Sequence, residues 1–218
     1  MAMRGRGLFN GSIPPKCLTQ ILASVDFSSW DSVWVGCSGT FSFERAIGGK
    51  YPDKRYFGND VSLLSAVIAA VALERPIEIE FINDLAHLEP RLAGRSFLDR
   101  AAAVILAMTV SANHPGKSLH SRKHWDFYLA DLDAALVRPR ERLLAMAKEL
   151  PLADYMPGDF RDHLQRCAEA GGGFVVSAPF LKGFYENWFK FIHANVRWSE
   201  PEFRTWDPDD FPQLLTTL

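Results

Sequence analysis

Two short segments of this 218-residue chain combine residue types that suit the binding of a nucleoside-bearing cofactor. The first is an apolar run, residues 33–35, that breaks into the glycine-containing stretch GCSGTF at residues 36–41. The second is FGNDV at residues 57–61, which carries an acid near its end. In a β-α-β unit such segments lie at the carboxyl ends of adjacent parallel strands, where the acid can hold ribose hydroxyls. Asp60 follows Gly39 by 21 residues, close to the roughly 20 expected for this arrangement.

Alternating strand and helix patterns predict the parallel sheet that would position these segments. Strands are predicted at residues 32–36, 55–58, 77–82 and 174–176, and helices at residues 14–25, 41–47, 62–73 and 184–194. Gly48 and Gly49 are predicted to end the second of these helices, because glycine accepts a left-handed cap. Ser62 is predicted to cap the third helix.

A long helical region interrupts the strand pattern in the middle of the chain. Two helical stretches, residues 97–112 and 117–150, flank a break, and Pro139 predicts a kink or a split in the second. The expected fold class is therefore α/β with a mostly parallel sheet. We expect one domain over residues 1–218, with residues 95–150 as a helical insert.

The composition excludes several classes of protein. An apolar fraction of 48% and a net charge of −2 indicate an ordered globular chain without a global basic field, so any DNA contact must come from a local patch. The three cysteines lack Cys-x-x-Cys spacing, which argues against a disulfide framework and a zinc ribbon. No apolar stretch reaches the roughly 18 residues of a spanning helix, and no signal peptide is evident. These features predict a cytoplasmic protein without a membrane segment.

Five pieces of the chain, in order, resemble the Dam-like family of adenine-specific DNA methyltransferases, many of which phages encode. The pieces are FNGS at residues 9–12 with Lys16, GCSGTF at 36–41, NDV at 59–61, DF at 159–160 and SAPF at 177–180. The resemblance implies a Rossmann-like methyltransferase fold, S-adenosylmethionine as the cofactor and DNA as the partner. It implies cofactor contacts for Gly11, Lys16, Gly36, Ser38, Gly39, Thr40, Asp60, Asp159 and Phe160, and target-base contacts for Ser177, Pro179 and Phe180.

The last piece departs from the family's Asp-Pro-Pro-Tyr motif. The family's acid accepts the hydrogens of the adenine amine, which is a poor nucleophile. Ser177 can accept a hydrogen bond but is uncharged, and charge-assisted bonds are roughly twice as strong. Phe180 keeps the face that would stack on an extruded base. Because the family usually continues with further strands, the alternatives are a truncated gene, a natural short form, or one part of a split enzyme whose partner chain supplies those strands.

A basic segment in the helical insert is the candidate DNA contact. Residues 101–125 contain no acid and carry Lys117, Arg122 and Lys123, which suit contacts to phosphates. The insert lies where the family has its target-recognition region. A solvated helix face is the alternative interpretation. Two histidines lie one helical turn apart in this segment, but no third ligand is evident, so no metal site is predicted.

Each motif also has a purely structural interpretation. The stretch at 36–41 can simply join a strand to a helix, and Asp60 and Asp159 can each cap the helix that follows. Two other functions stay open. One is a catalytically silent relative that binds S-adenosylmethionine or DNA, such as an antirestriction protein. The other is a dehydrogenase, against which the lack of a Gly-x-Gly-x-x-Gly pattern counts.

Overall fold

The computed structural model describes residues 15–110, 126, 130–176, 184–210, 212 and 214. In chain order the elements are α1 Pro15–Ser24, β1 Ser32–Gly36, α2 Ser42–Lys50, β2 Arg55–Asp60, α3 Leu63–Ala72, β3 Glu80–Phe81, α4 Glu89–Leu92, α5 Phe97–Val110, α6 Leu132–Lys148, β4 Leu152–Pro157, α7 Phe160–Ala170, β5 Gly173–Val176, α8 Phe184–Asn195 and β6 Val196–Arg197. Short 3₁₀ turns lie at Asn83–Leu88 and Pro208–Asp210. Among these residues, no helix has the length and apolarity needed to cross a lipid bilayer.

Parallel strands in the order β4-β2-β1-β5 form the central sheet of the described chain. β1 lies inside the sheet, paired with β2 on one side and β5 on the other, and all five of its residues are buried. Because parallel strands end at the same edge, Gly36, Asp60 and Val176 lie along one edge of the sheet. The predicted α/β class and its Rossmann-like, mostly parallel sheet are confirmed.

Side-chain alternation along β1 separates the two faces of the sheet. On one face, Val33 and Val35 pack with Ile47 of α2 in a buried cluster that α1 also covers. On the other face, Trp34 stacks on Phe57 with ring centroids 4.3 Å apart, next to α7. A larger apolar cluster joins α3, α5 and α6, and α3 also contacts β4. Packing on both faces therefore fixes the strands whose ends form the candidate site.

Residues 77–82 were predicted to form a strand of the central sheet, and this prediction is wrong. Only β3 forms there, and it pairs antiparallel with β6 in a separate ribbon. Arg100 Nη1 donates to Ile79 O at 2.9 Å, and Phe81 N donates to Glu89 Oε2 at 2.9 Å. These side chains satisfy the backbone that a neighbouring strand would otherwise pair. Ile79 and Phe81 bury their side chains, but only the two residues of β3 join a sheet ladder.

The position beside β2 belongs to β4, a strand that the sequence patterns did not predict. Gly58 lies opposite Tyr155, and Asp60 lies opposite Pro157. The segment LADYMP is half-buried along most of its length and has no alternation of apolar and polar residues, so it gives no strand signal. β4 carries the chain to Asp159 at the edge where Asp60 lies.

The helix predictions differ in their outcome. Ser62 caps α3 as predicted, accepting a hydrogen bond from Ser65 N at 3.2 Å. α2 continues through Gly48 and Gly49, so the predicted helix end there is wrong. Pro139 lies inside the single helix α6, so the predicted split does not occur.

Gly48 is needed for close packing rather than for a helix end. An added Cβ would lie 2.4 Å from Pro151 Cγ at Gly48, but would meet nothing within 4 Å at Gly49. We expect Gly48→Ala to lower the free energy of unfolding by about 1–3 kcal/mol, because the proline ring must shift. Gly49→Ala should raise it by about 0.5–1 kcal/mol through helix propensity. Urea denaturation checks both variants, and equal effects at the two positions would contradict the packing.

Candidate functional site

The glycine turn, residues 36–41, joins β1 to α2 through an unusual backbone. Cys37, Gly39 and Phe41 have φ angles of 59°, 56° and 59°, all in the left-handed region. For a residue with a Cβ this region costs roughly 1–2 kcal/mol. Such conformations persist where surrounding contacts over-determine them, and they cluster at ligand-binding sites.

Hydrogen bonds from β2 and α3 hold the glycine turn in place. Ser38 N donates to Asn59 O at 2.8 Å, and Asn59 N donates back to Ser38 Oγ at 3.1 Å. Ser65 Oγ donates to Gly39 O at 2.7 Å. Gly39 N donates to Asp60 Oδ2 at 2.9 Å, which joins the two motifs that the sequence spacing predicted to meet.

Asp60 is a half-buried acid held by hydrogen bonds from the glycine turn and from the residues just before α3. Oδ2 accepts from Gly39 N, and Oδ1 accepts from Ser62 N at 2.9 Å. Burial raises the pKa of Asp60 above its ordinary value, and these hydrogen bonds oppose that shift. Asp60 is partly exposed, so its carboxylate can also accept hydrogen bonds from a ligand. A carboxylate acceptor at this place fits the paired hydroxyls of a ribose, which would donate to it. Ser62, not Asp60, is the cap of α3.

Asn59 joins the end of β2 to the end of β4. Its Nδ2 donates to Met156 O at 2.8 Å and to Gly158 O at 3.0 Å. Its Oδ1 is buried without a hydrogen-bond partner among the described residues. Phe160 then lies against Gly36, where an added Cβ would come within 3.1 Å of Phe160 Cβ. The Asp-Phe pair at 159–160 is therefore adjacent to the glycine turn.

Asp159 makes internal contacts with its carboxylate. It caps α7 by accepting from Arg161 N at 3.0 Å and pairs with Arg161 Nη1 at 2.7 Å. It also accepts from Arg204 N at 3.0 Å. Trp206 packs edge-on against Phe160 with ring centroids 5.2 Å apart. The helix-cap interpretation of Asp159 is confirmed, and its contact with a cofactor stays a prediction.

Glu44 lies in the first turn of α2, close to Ser38 of the glycine turn, and is not among the residues predicted from the sequence. Its side chain is fully buried, and neither carboxylate oxygen has a hydrogen-bond partner within the described chain. Burial raises the pKa of Glu44 to about 8, and the Ser38 hydroxyl opposes this shift. The sequence does carry a signal for the burial of Glu44. The acid lies three residues from both Phe41 and Ile47, which places it on the buried side of the helix.

Two further groups at this edge are uncharged at neutral pH. Burial raises the pKa of the Cys37 thiol, and the nearby Asp60 adds to this. Burial also raises the pKa of the Tyr155 phenol, whose hydroxyl donates to Asp60 O at 3.1 Å. Tyr155 is not among the predicted site residues, because its strand, β4, was not predicted. The charged groups that act on the Cys37 thiol are Asp60, Asp159 and Arg161.

The remaining predicted site residues make no described hydrogen bond to Asp60. The hydroxyls of Thr40 and Ser42 lie 3.2 Å apart, and Lys16 is exposed on α1. β5 ends at Val176, which lies opposite Gly36 in the sheet register. The other predicted site residues lie outside the described residues: Gly11, Lys117, Arg122, Lys123, Ser177, Pro179 and Phe180.

Comparisons with known proteins give one family. The sequence profile described as phage DNA adenine methylase-like domain 1 matches residues 9–218. A search of curated proteins and a search of solved structures each gave no significant match. The profile covers nearly the whole chain, including the glycine turn, Asp60 and the Asp-Phe pair. The chain therefore belongs to the phage DNA adenine methylase-like domain 1 family.

Proposed function

We propose that the protein binds S-adenosylmethionine at the glycine turn and Asp60, and that it methylates the exocyclic amine of adenine in DNA. The observation that carries this proposal is the 2.9 Å bond from Gly39 N to Asp60 Oδ2, which holds a partly exposed acid beside the glycine turn at the strand edge. S-adenosylmethionine, when bound, supplies an electrophilic methyl group on a sulfonium. Asp60 would bind the ribose, and the turn around Gly36, Ser38 and Thr40 would bind the methionine side.

The proposed contacts to DNA rest on the family and on residue chemistry. Lys117, Arg122 and Lys123 would bind phosphates, with residues 95–150 as the target-recognition insert. Ser177 would accept a hydrogen bond from the adenine amine, and Pro179 and Phe180 would hold the base by stacking. Gly11, Lys16, Asp159 and Phe160 complete the proposed cofactor contacts.

A second candidate function is a catalytically silent relative that keeps the cofactor fold. Ser177 and Ala178 stand where the family carries an acid and a proline, and this departure favours it. Such a protein would bind S-adenosylmethionine or DNA without transferring a methyl group, for example in antirestriction. A partner chain that completes a split enzyme is a variant of the same idea.

Methyl transfer to DNA separates these candidates. The protein is incubated with DNA and S-adenosylmethionine labelled in its methyl group, and cofactor binding is measured separately by calorimetry. Label on adenine supports the proposed function, whereas binding without label supports the silent relative. No binding and no label would overturn both, and tighter binding of NAD than of S-adenosylmethionine would favour a dehydrogenase.

A further inference from the structure

The segment that follows β6 returns to the start of α7. Residues 198–207 form no helix or strand, and Trp206 is the one buried residue among residues 201–207. Residues 204–206, here called the strap, contact Asp159 and Phe160, the pair that comes after β4. The strap therefore lies on two residues that the family resemblance assigns to the cofactor.

Hydrogen bonds from the strap and from α7 occupy the carboxylate of Asp159. Its Oδ2 accepts from Arg204 N at 3.0 Å and from Arg161 Nη1 at 2.7 Å, and its Oδ1 accepts from Arg161 N at 3.0 Å. The Asp159 side chain is only 5% exposed. A carboxylate this well covered cannot accept a hydrogen bond from a ligand until a neighbour moves. The strap is the neighbour that no helix or sheet ladder holds.

Trp206 covers the other member of the pair. Its ring meets Phe160 edge-on, with ring centroids 5.2 Å apart, and the Arg161 guanidinium lies 5.6 Å from the centre of the Trp206 ring. Both aromatic side chains are buried. Because Phe160 also lies against Gly36, these contacts hold the strap close to the glycine turn.

The proposed cofactor would extend along the edge of the sheet towards the strap. The strands β1, β2 and β4 are neighbours in that order. In the proposed function, the methionine side lies at the turn after β1 and the ribose lies at Asp60, after β2. The ribose of S-adenosylmethionine joins the sulfonium side to the adenine, so the adenine would continue towards the end of β4. Gly158 N donates to Asp60 O at 3.2 Å, which keeps Asp159 beside the ribose position.

We infer that the strap is an autoinhibitory segment that occupies the place of the cofactor's adenine at Asp159 and Phe160. This inference rests on the proposed function. The Arg204 amide donates to Asp159 as the amine of adenine would, and the Trp206 ring takes the contact with Phe160 that the base would make. Binding of S-adenosylmethionine then requires the strap to leave, so the closed strap lowers the apparent affinity for the cofactor.

Trp206→Ala should raise the affinity for S-adenosylmethionine by about 10-fold, because the variant loses an aromatic pair and a cation–π contact that hold the strap closed. Calorimetry with the full-length protein measures the two dissociation constants. Trp198→Ala is the matched control, since Trp198 lies in the same segment but packs against the large apolar cluster. Its affinity should stay within about twofold of wild type, as expected for a substitution away from the site.

Hydrogen exchange of the wild-type protein gives a second measurement, which does not depend on how a variant folds. Addition of S-adenosylmethionine should speed the exchange of amides in the strap, because the Arg204 amide loses its bond to Asp159. The same addition should slow exchange at residues 36–41, where the ligand is proposed to bind.

The sign of each change separates an autoinhibitory strap from a wall of the site. Tighter binding by Trp206→Ala together with faster exchange in the strap supports the inference. Unchanged or weaker binding by a folded Trp206→Ala protein, or unchanged or slower exchange in the strap, overturns the inference and leaves the proposed function intact. If Trp206→Ala does not fold, the exchange result decides alone. If neither wild type nor variant binds S-adenosylmethionine, the proposed function fails as well.

Discussion

Asp60→Ala should lower the affinity for S-adenosylmethionine by about 100-fold or more. A hydrogen bond to a charged group is worth about 1.5–3 kcal/mol, and the variant would lose the two bonds proposed to form with the ribose. Each 1.4 kcal/mol corresponds to a factor of about ten in the dissociation constant. The variant also frees Gly39 N and Ser62 N, which Asp60 now orients. Calorimetry with wild-type and variant protein measures the change.

Two further variants separate loss of the ribose contact from other effects. Asp53→Ala removes an exposed acid from the loop before β2 and should leave the affinity within about twofold, because charge far from a site is screened. Asp60→Asn keeps an oxygen for Gly39 N but loses the charge, so its affinity should fall between wild type and Asp60→Ala. Circular dichroism shows whether each variant is folded. A folded Asp60→Ala protein with wild-type affinity would contradict the proposed role.

The part of the site that the sequence predicted depends on local information. β1, its glycine turn and the start of α2 follow one another in the chain, so periodicity and turn residues reveal them. The separation of 21 residues between Gly39 and Asp60 is the length of one crossover, and the two meet at 2.9 Å. Ser62 as a cap is also a local signal. Local patterns were sufficient where strand, turn and helix are consecutive.

Sheet order and burial depend on contacts that local patterns do not contain. β4 pairs with β2 across almost a hundred residues of chain, and the pairing of such distant strands depends on packing that local strand propensity does not encode. The stretch at 77–82 alternates like a strand, yet Arg100 and Glu89 bind its backbone instead. Glu44 resembles an ordinary acid in a first helical turn, which usually lies on the surface. Its spacing from Phe41 and Ile47 indicates the buried side of the helix, but the full burial of the carboxyl group depends on the surrounding elements.

The burial of Glu44 makes the stability of the folded protein depend on pH. Its pKa is about 8 in the folded protein and 4.5 in an unfolded chain, so between these values the folded state holds a proton that the unfolded state has lost. Stability then falls as pH rises, because the unfolded state binds fewer protons. The contribution of Glu44 is complete below about pH 4.5 and is lost by about pH 8.

Glu44→Gln should remove this dependence on pH, because glutamine has a similar shape and cannot ionise. Between pH 5 and pH 8 the free energy of unfolding of the variant should rise relative to wild type by a few kcal/mol. That is a large share of the roughly 5–15 kcal/mol that stabilises a domain. Urea denaturation at pH 5, 6.5 and 8 measures the difference, and Glu141→Gln should show none because Glu141 is exposed. If the wild-type and Glu44→Gln curves run parallel across this range, Glu44 is already ionised in the folded protein, and a compensating cation must lie beside it.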